Sequence, residues 1–92
     1  MRISFERTGG VAGVRLACTI DTATLAPAEG ARLEHLVARA GLDALPAAAP
    51  PEPDRFEYRL EVDGRAFSFG ERQVGAALRP LLAALLDLAR GC

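Results

Sequence analysis

The chain has 92 residues, of which half are apolar and a quarter charged, and its formal net charge is −1 at pH 7. This length is typical of one domain, 1–92, with a single hydrophobic core. The balanced charge gives no broad attraction to nucleic acid or to an anionic membrane surface. No apolar run reaches the roughly 18 residues that a membrane-spanning helix needs. A nucleic-acid-binding module therefore stays only a weak alternative, and we expect no membrane partner.

Residues 2–21 alternate apolar and polar side chains on both sides of a glycine-rich stretch, which predicts a β-hairpin. Ile3 and Phe5 share one face of the first strand. The second strand has its own apolar face, made of Val14, Leu16, Cys18 and Ile20. The tip between the strands consists of Thr8, Gly9, Gly10, Val11, Ala12 and Gly13. A long, uncharged tip of this kind is a candidate recognition element, because binding residues often lie on loops held by a rigid frame.

A helix is predicted over 26–40. Its apolar side chains recur with helical spacing at Leu33, Leu36, Val37 and Ala40. Pro27 is suited to a first turn, and Gly41 is a typical residue for ending a helix. Gly30 should cost about 1 kcal/mol relative to alanine, which predicts a loose first turn.

Residues 42–53 form a proline-rich connector, because four prolines fall between Pro46 and Pro53. Proline at this density excludes a helix or an inner strand and favours an extended path. Such a connector can run back over the length of the first helix. We therefore expect the third strand to begin at the end of the sheet that makes it antiparallel to the second strand.

A second hairpin is predicted over 54–70, where Phe56, Tyr58, Leu60 and Val62 alternate strictly with charged residues. Asp63-Gly64 is a favoured pair for a two-residue type I′ turn, which places Leu60 opposite Phe67 and Tyr58 opposite Phe69. A leucine-rich helix follows over 77–90, with Pro80 in its first turn. The predicted fold is α+β with the order ββαββα. It has a four-stranded antiparallel sheet and two helices packed on one face.

Few side chains could carry chemistry. His35 is the only histidine and has no partner ligand at helical spacing, so no metal site is expected. No nucleophile and base can be paired, and the glycines of the tip lie between two strands instead of between a strand and a helix, unlike a phosphate-binding loop. We therefore predict no catalytic residues, no cofactor and no enzymatic activity.

The two cysteines, Cys18 and Cys92, are too few for a disulfide framework or a zinc site. Cys18 is expected to act as a small buried apolar residue and Cys92 to lie in a frayed end. The sequence begins without the charged and apolar pattern of a signal peptide. These features predict a reduced, cytoplasmic protein, and export by another route stays open.

The sequence resembles the emfourin family, which consists of small bacterial protein inhibitors of thermolysin-like zinc metallopeptidases. The likeness begins with residues 1–15 and continues through Asp21-Thr22 and the helix around Leu36. It extends to residues 54–58 and 78–82, so that it covers nearly the whole chain.

This resemblance implies that the protein binds a metallopeptidase at or beside the active-site cleft, as a monomer, and excludes substrate. The tip residues 8–13 are the predicted contact, and Val11 is their candidate apolar anchor. Two other interpretations of the loops stay open. In one, the glycines serve only to allow positive φ angles; in the other, the connector 46–53 is the contact surface. A regulatory or scaffold module with a different protein partner is the alternative function.

Overall fold

A computed structural model describes residues 1–10, 13–45 and 54–92 of the chain. The main elements follow one another as ββαββα, which confirms the predicted α+β class. They are β1 (Arg2–Gly9), β2 (Leu16–Asp21), α1 (Pro27–Arg39), β3 (Phe56–Val62), β4 (Arg65–Gly70) and α2 (Arg79–Arg90). Short 3₁₀ turns occupy Thr22–Thr24, Leu42–Ala44 and Glu71–Gln73.

The four strands form one antiparallel sheet in the order β2-β1-β3-β4. β1 lies between β2 and β3, with Ile3 opposite both Ile20 and Val62. The expected direction of β3 was wrong. Because β3 is antiparallel to β1, it runs in the same direction as β2 and begins at the tip end of the sheet, where Phe56 pairs with Gly9. This order puts the two strands with the most deeply buried side chains in the centre.

Both helices pack on the same face of the sheet, as predicted. From the sheet, Ile3, Phe5 and Leu60 point into the core and are 0–2% exposed. From the helices, Leu33 and Leu81 meet them in one continuous hydrophobic cluster. The opposite face carries the polar residues of each strand and stays uncovered by any helix of the described chain.

The second hairpin has the predicted register. Leu60 pairs with Phe67 and Tyr58 with Phe69, and the Tyr58 and Phe69 rings stack with their centroids 5.4 Å apart. Asp63 and Gly64 have φ angles of 47° and 86°, the left-handed values that a type I′ turn requires.

The helix ends differ slightly from the sequence prediction. α1 ends one residue earlier than expected, and Gly41 follows it with a φ of 69°. α2 begins at Arg79, two residues later than predicted. The first turn of α1 is closely packed, because a Cβ at Gly30 would lie only 2.7 Å from the carbonyl oxygen of Thr22. Gly30 therefore allows the helix to approach the preceding 3₁₀ turn.

The prediction that both cysteines are reduced is wrong, because Cys18 and Cys92 form a disulfide bond. Cys18 is a buried residue of β2, as its strand pattern predicted, and its Cα lies 6.0 Å from that of Cys92. No local pattern in the sequence indicates this pair, because the two residues are 74 positions apart. Closing so long a loop restricts the unfolded chain and stabilises the fold by about 4 kcal/mol.

Candidate partner-binding site

The structure divides the predicted tip, 8–13, into parts with different surroundings. Thr8 and Gly9 are the last residues of β1 and pair with Glu57 and Phe56 of β3. Gly10 and Gly13 lie beyond the strand and are joined by a hydrogen bond of 3.3 Å from the Gly13 N–H to the Gly10 carbonyl. Val11 and Ala12 lie outside the described residues.

The first arm of the tip is packed tightly against β3. The Gly10 N–H donates a hydrogen bond of 3.2 Å to the Arg55 carbonyl. A Cβ built on Gly9 would lie 2.6 Å from that carbonyl oxygen, and one on Gly10 would lie 2.7 Å from the Phe56 ring. Both glycines also have positive φ angles, 92° and 74°. Backbone conformation and close approach both require glycine here, which supports the alternative that these residues serve the structure of the loop; their contact with a partner stays a prediction.

Phe56 connects this arm to the core through a row of side chains. The guanidinium of Arg7 lies over the Phe56 ring, with its Cζ 4.3 Å from the ring centroid. Arg7 pairs across the strands with Tyr58, whose ring meets Phe5 at 6.2 Å. The base of the tip is therefore fixed by contacts that reach from its backbone into the hydrophobic core.

Arg7 and Tyr58 form a polar contact at the edge of that core. Burial raises the pKa of Tyr58 above its usual value of 10.0, and the positive charge and hydrogen bonding of Arg7 oppose the rise. Within the part of the chain that the structure describes, the Nε of Arg7 is buried without a hydrogen-bond partner. The sequence alone could have drawn attention to Arg7, because it shares the inward strand parity of Ile3 and Phe5.

The second arm is open to solvent. The β1–β2 ladder stops at the pair Arg7 and Leu16, and Gly13, Val14 and Arg15 are all exposed before it. Val14 keeps 62% of its surface accessible and is the exposed large hydrophobic residue of the described chain. Sequence reasoning placed Val14 on the apolar face of β2 and so missed it as a surface residue. The signal was Gly9, which the register of the ladder places opposite Val14 and which has no side chain for Val14 to pack against.

Arg15 is the charged residue beside Val14. Its Nη2 donates a hydrogen bond of 2.8 Å to Oε2 of Glu6 on β1, and this carboxylate raises the pKa of Arg15. The ion pair neutralises the charge next to the tip. Beside it, the arm presents an apolar side chain and glycine backbone.

The described residues offer little to a metal or cofactor. They contain no group of three or more His, Cys, Asp and Glu side chains that could hold a metal ion. His35 is exposed on α1. The rival surface 46–53 lies outside the described residues. No helix that the structure describes has the length and apolar character to cross a membrane.

Comparison with models of known protein families gives a match to emfourin over residues 5–86. The chain belongs to the emfourin family. Membership suggests a protease-inhibitor role. Comparison with curated proteins gives no match, and comparison with solved structures gives none either.

The emfourin match includes the features that define the tip. Arg7, Phe56 and Val14 all lie inside it, as do the six residues 8–13. Cys18 lies inside the matched segment, whereas Cys92 lies outside it. The disulfide bond therefore joins the emfourin-matched sheet to a residue beyond the match.

Proposed function

We propose that this protein inhibits thermolysin-like zinc metallopeptidases by occluding the active-site cleft, without catalysing a reaction itself. The family match over residues 5–86 is the observation that carries this proposal. We further propose that the chain acts as a monomer and that residues 8–13, together with Val14, make the contact.

Two properties of the tip support it as the contact. Its first arm is held by Arg55 and Phe56, so little conformational freedom is lost there on binding, which reduces the cost of association. Its second arm exposes Val14, a side chain suited to an apolar subsite of a peptidase cleft.

Occlusion is favoured over chelation of the peptidase zinc. Residues 8–13 contain no His, Cys, Asp or Glu, the side chains that bind zinc. The amides of Gly10 and Gly13 already donate hydrogen bonds within the protein, so pairing with an edge strand of the cleft would use other backbone groups of the tip, which the glycines leave free of side-chain bulk. Inhibition would then depend on shape and backbone pairing.

The test is a titration of a thermolysin-like peptidase with the purified protein, using a peptide substrate. A stoichiometric loss of activity is expected. Unchanged turnover at micromolar excess overturns the proposal for that enzyme and favours a module with a different partner.

Val14→Asp examines the contact itself. The carboxylate would have to enter an apolar contact, so the inhibition constant should rise at least about tenfold. The free energy of unfolding should change by less than about 0.5 kcal/mol, since Val14 is exposed. Ala23→Asp is the matched control. Ala23 is also exposed and follows β2 at the end opposite the tip, so this variant should inhibit like wild type. Equal inhibition by both variants would mean that Val14 lies outside the contact.

A further inference from the structure

The Cys18–Cys92 disulfide bond joins two parts of the fold that are otherwise separate in sequence. Cys18 lies in β2, an edge strand of the sheet, and Cys92 follows the last residue of α2, Arg90, by two positions. Among the described residues, the backbone N–H groups of residues 91 and 92 donate hydrogen bonds to the last turn of α2. Gly91 donates to the carbonyl of Leu88, and Cys92 donates to that of Ala89. The disulfide adds a covalent connection from this end to β2.

The two cysteines differ in exposure as residues. Cys18 is 8% exposed and belongs to the hydrophobic core, whereas Cys92 is an exposed residue. A thiolate in solution therefore meets Cys92 first, and exposed disulfides are the ones that thiols reduce most readily. The geometry gives reduction a direction, with attack at Cys92 and departure of Cys18.

We propose that this bond is a redox-sensitive clamp that holds α2 on β2 and sets the lifetime of the folded protein. The reaction partner is a dithiol reductant of the thioredoxin class. Its thiolate attacks the Sγ of Cys92, the bond to Cys18 breaks, and Cys18 leaves as a thiolate that takes a proton. The second thiol then attacks the mixed disulfide and releases Cys92. The reductant leaves as a disulfide, and two electrons and two protons pass to the protein.

Reduction should loosen α2 more than the sheet. The centre of the sheet is held by the β1–β3 ladder and by fully buried Ile3 and Leu60, which do not depend on the disulfide. The end of α2 is held to β2 by the clamp and by the packing of Leu85 and Ala89. The reduced chain should keep its sheet while α2 opens more often. The long-lived form therefore belongs to an oxidising environment, which goes beyond the proposed inhibitor function.

The experiment compares the oxidised protein, the same protein after dithiothreitol, and Cys92→Ser. The oxidised protein should be two hydrogen masses lighter than the reduced one. Its Tm should be higher by at least about 10 °C. Cys92→Ser should have the Tm of the reduced protein, and dithiothreitol should not change it. Because Cys92 is exposed, this variant removes the bond without disturbing the core.

Hydrogen exchange locates the effect. Amide protection over Leu85–Arg90 should fall at least about tenfold on reduction, and protection in β1 and β3 should fall less. Two results would overturn the clamp: thiols that stay free after incubation with oxidised glutathione, or Tm values within about 2 °C in both redox states. A redox-dependent Tm in a protein that inhibits no peptidase upholds the clamp and overturns only the inhibitor function.

Discussion

The two hairpins of the sheet end in different ways. β3 and β4 are joined by Asp63 and Gly64 alone, and their ladder continues to the pair next to the turn, Val62 with Arg65. β1 and β2 are separated by residues 10–15, and their ladder stops at Arg7 with Leu16. The second hairpin therefore closes completely, whereas the first leaves a segment beyond its ladder.

The open segment of the first hairpin has one fixed side and one exposed side. Gly9 and Gly10 stay against β3 through Arg55 and Phe56, while Val14 leaves the sheet and faces solvent. A closed hairpin such as β3–β4 contributes its side chains to the core. A hairpin whose tip is held on one side and exposed on the other can present its backbone and an apolar side chain to a partner. Little conformational freedom is then lost on binding. This difference supports placing recognition in the first hairpin.

Three glycine variants test how far the first arm depends on its neighbour. Gly10→Ala should lower the free energy of unfolding by about 2–4 kcal/mol for two reasons. The added Cβ would clash with the Phe56 ring, and alanine is strained at the positive φ of this position. Gly13→Ala and Gly64→Ala should each cost only about 1–2 kcal/mol. Both have positive φ, but no atom lies within 4 Å of the added Cβ. Thermal or urea unfolding measures all three. Equal losses would show that Phe56 yields to the methyl group and does not fix the tip.

The second hairpin could be predicted almost completely from the sequence. A two-residue turn at Asp63-Gly64 sets the register, and strict alternation then decides which side chains face the core. The first hairpin could be predicted only up to its ladder. The contact between Gly10 and Phe56 joins residues far apart in sequence, and no local pattern encodes it.

The same limit explains the other differences. Val14 continues the apolar parity of β2, but it lies beyond the last β1–β2 pair and is a surface residue. Cys18 has the pattern of a core residue whether or not it is bonded to Cys92. The position of β3 beside β1 depends on how the whole sheet buries its apolar strands. Periodicity predicts on which face of a strand or helix a residue lies. It does not predict which distant segment of the chain packs against that face.

Tyr58 offers a spectroscopic test of the support beneath the tip. It is the only tyrosine, and the chain has no tryptophan, so the ultraviolet absorbance of tyrosinate reports this residue alone. Its pKa is raised by burial and held back by Arg7. Arg7→Met should therefore raise the pKa of Tyr58 further. Arg2→Met is the control, since Arg2 lies at the other end of β1 and should leave the titration unchanged.

The raised pKa also sets the direction of alkaline unfolding. A folded-state pKa above the unfolded value means that the contribution of Tyr58 to stability is complete below about pH 10. It is lost as the pH rises through the folded pKa. The Tm of wild type should therefore decrease as the pH rises above about 10. If Arg7→Met leaves the pKa of Tyr58 unchanged, Arg7 does not influence the tyrosine. The proposed connection between the tip and the core through Arg7 would then be wrong.

The smallest expected effect concerns Glu71, which follows β4 and pairs with Arg55, the residue before β3. Nη1 of Arg55 donates a hydrogen bond of 2.9 Å to Oε2 of Glu71, and the Arg55 carbonyl accepts from Gly10. The hydrogen bond from Arg55 holds the pKa of Glu71 below its usual value of 4.5. Because the folded pKa is depressed, the stabilisation is present above the unfolded value and disappears as the pH falls through the folded one.

Glu71→Gln should therefore have a lower Tm than wild type at pH 6, and the difference should close as the pH falls from about 5 toward 3. The difference should also shrink in about 1 M salt, because the carboxylate is only partly buried and salt screens its charge. If the Tm difference between wild type and Glu71→Gln does not change with pH, the effect of the substitution comes from altered packing and not from the lost charge. In that case the support of the first arm would come from Phe56 and the backbone of Arg55 alone, and the charge of Glu71 would have no part in it.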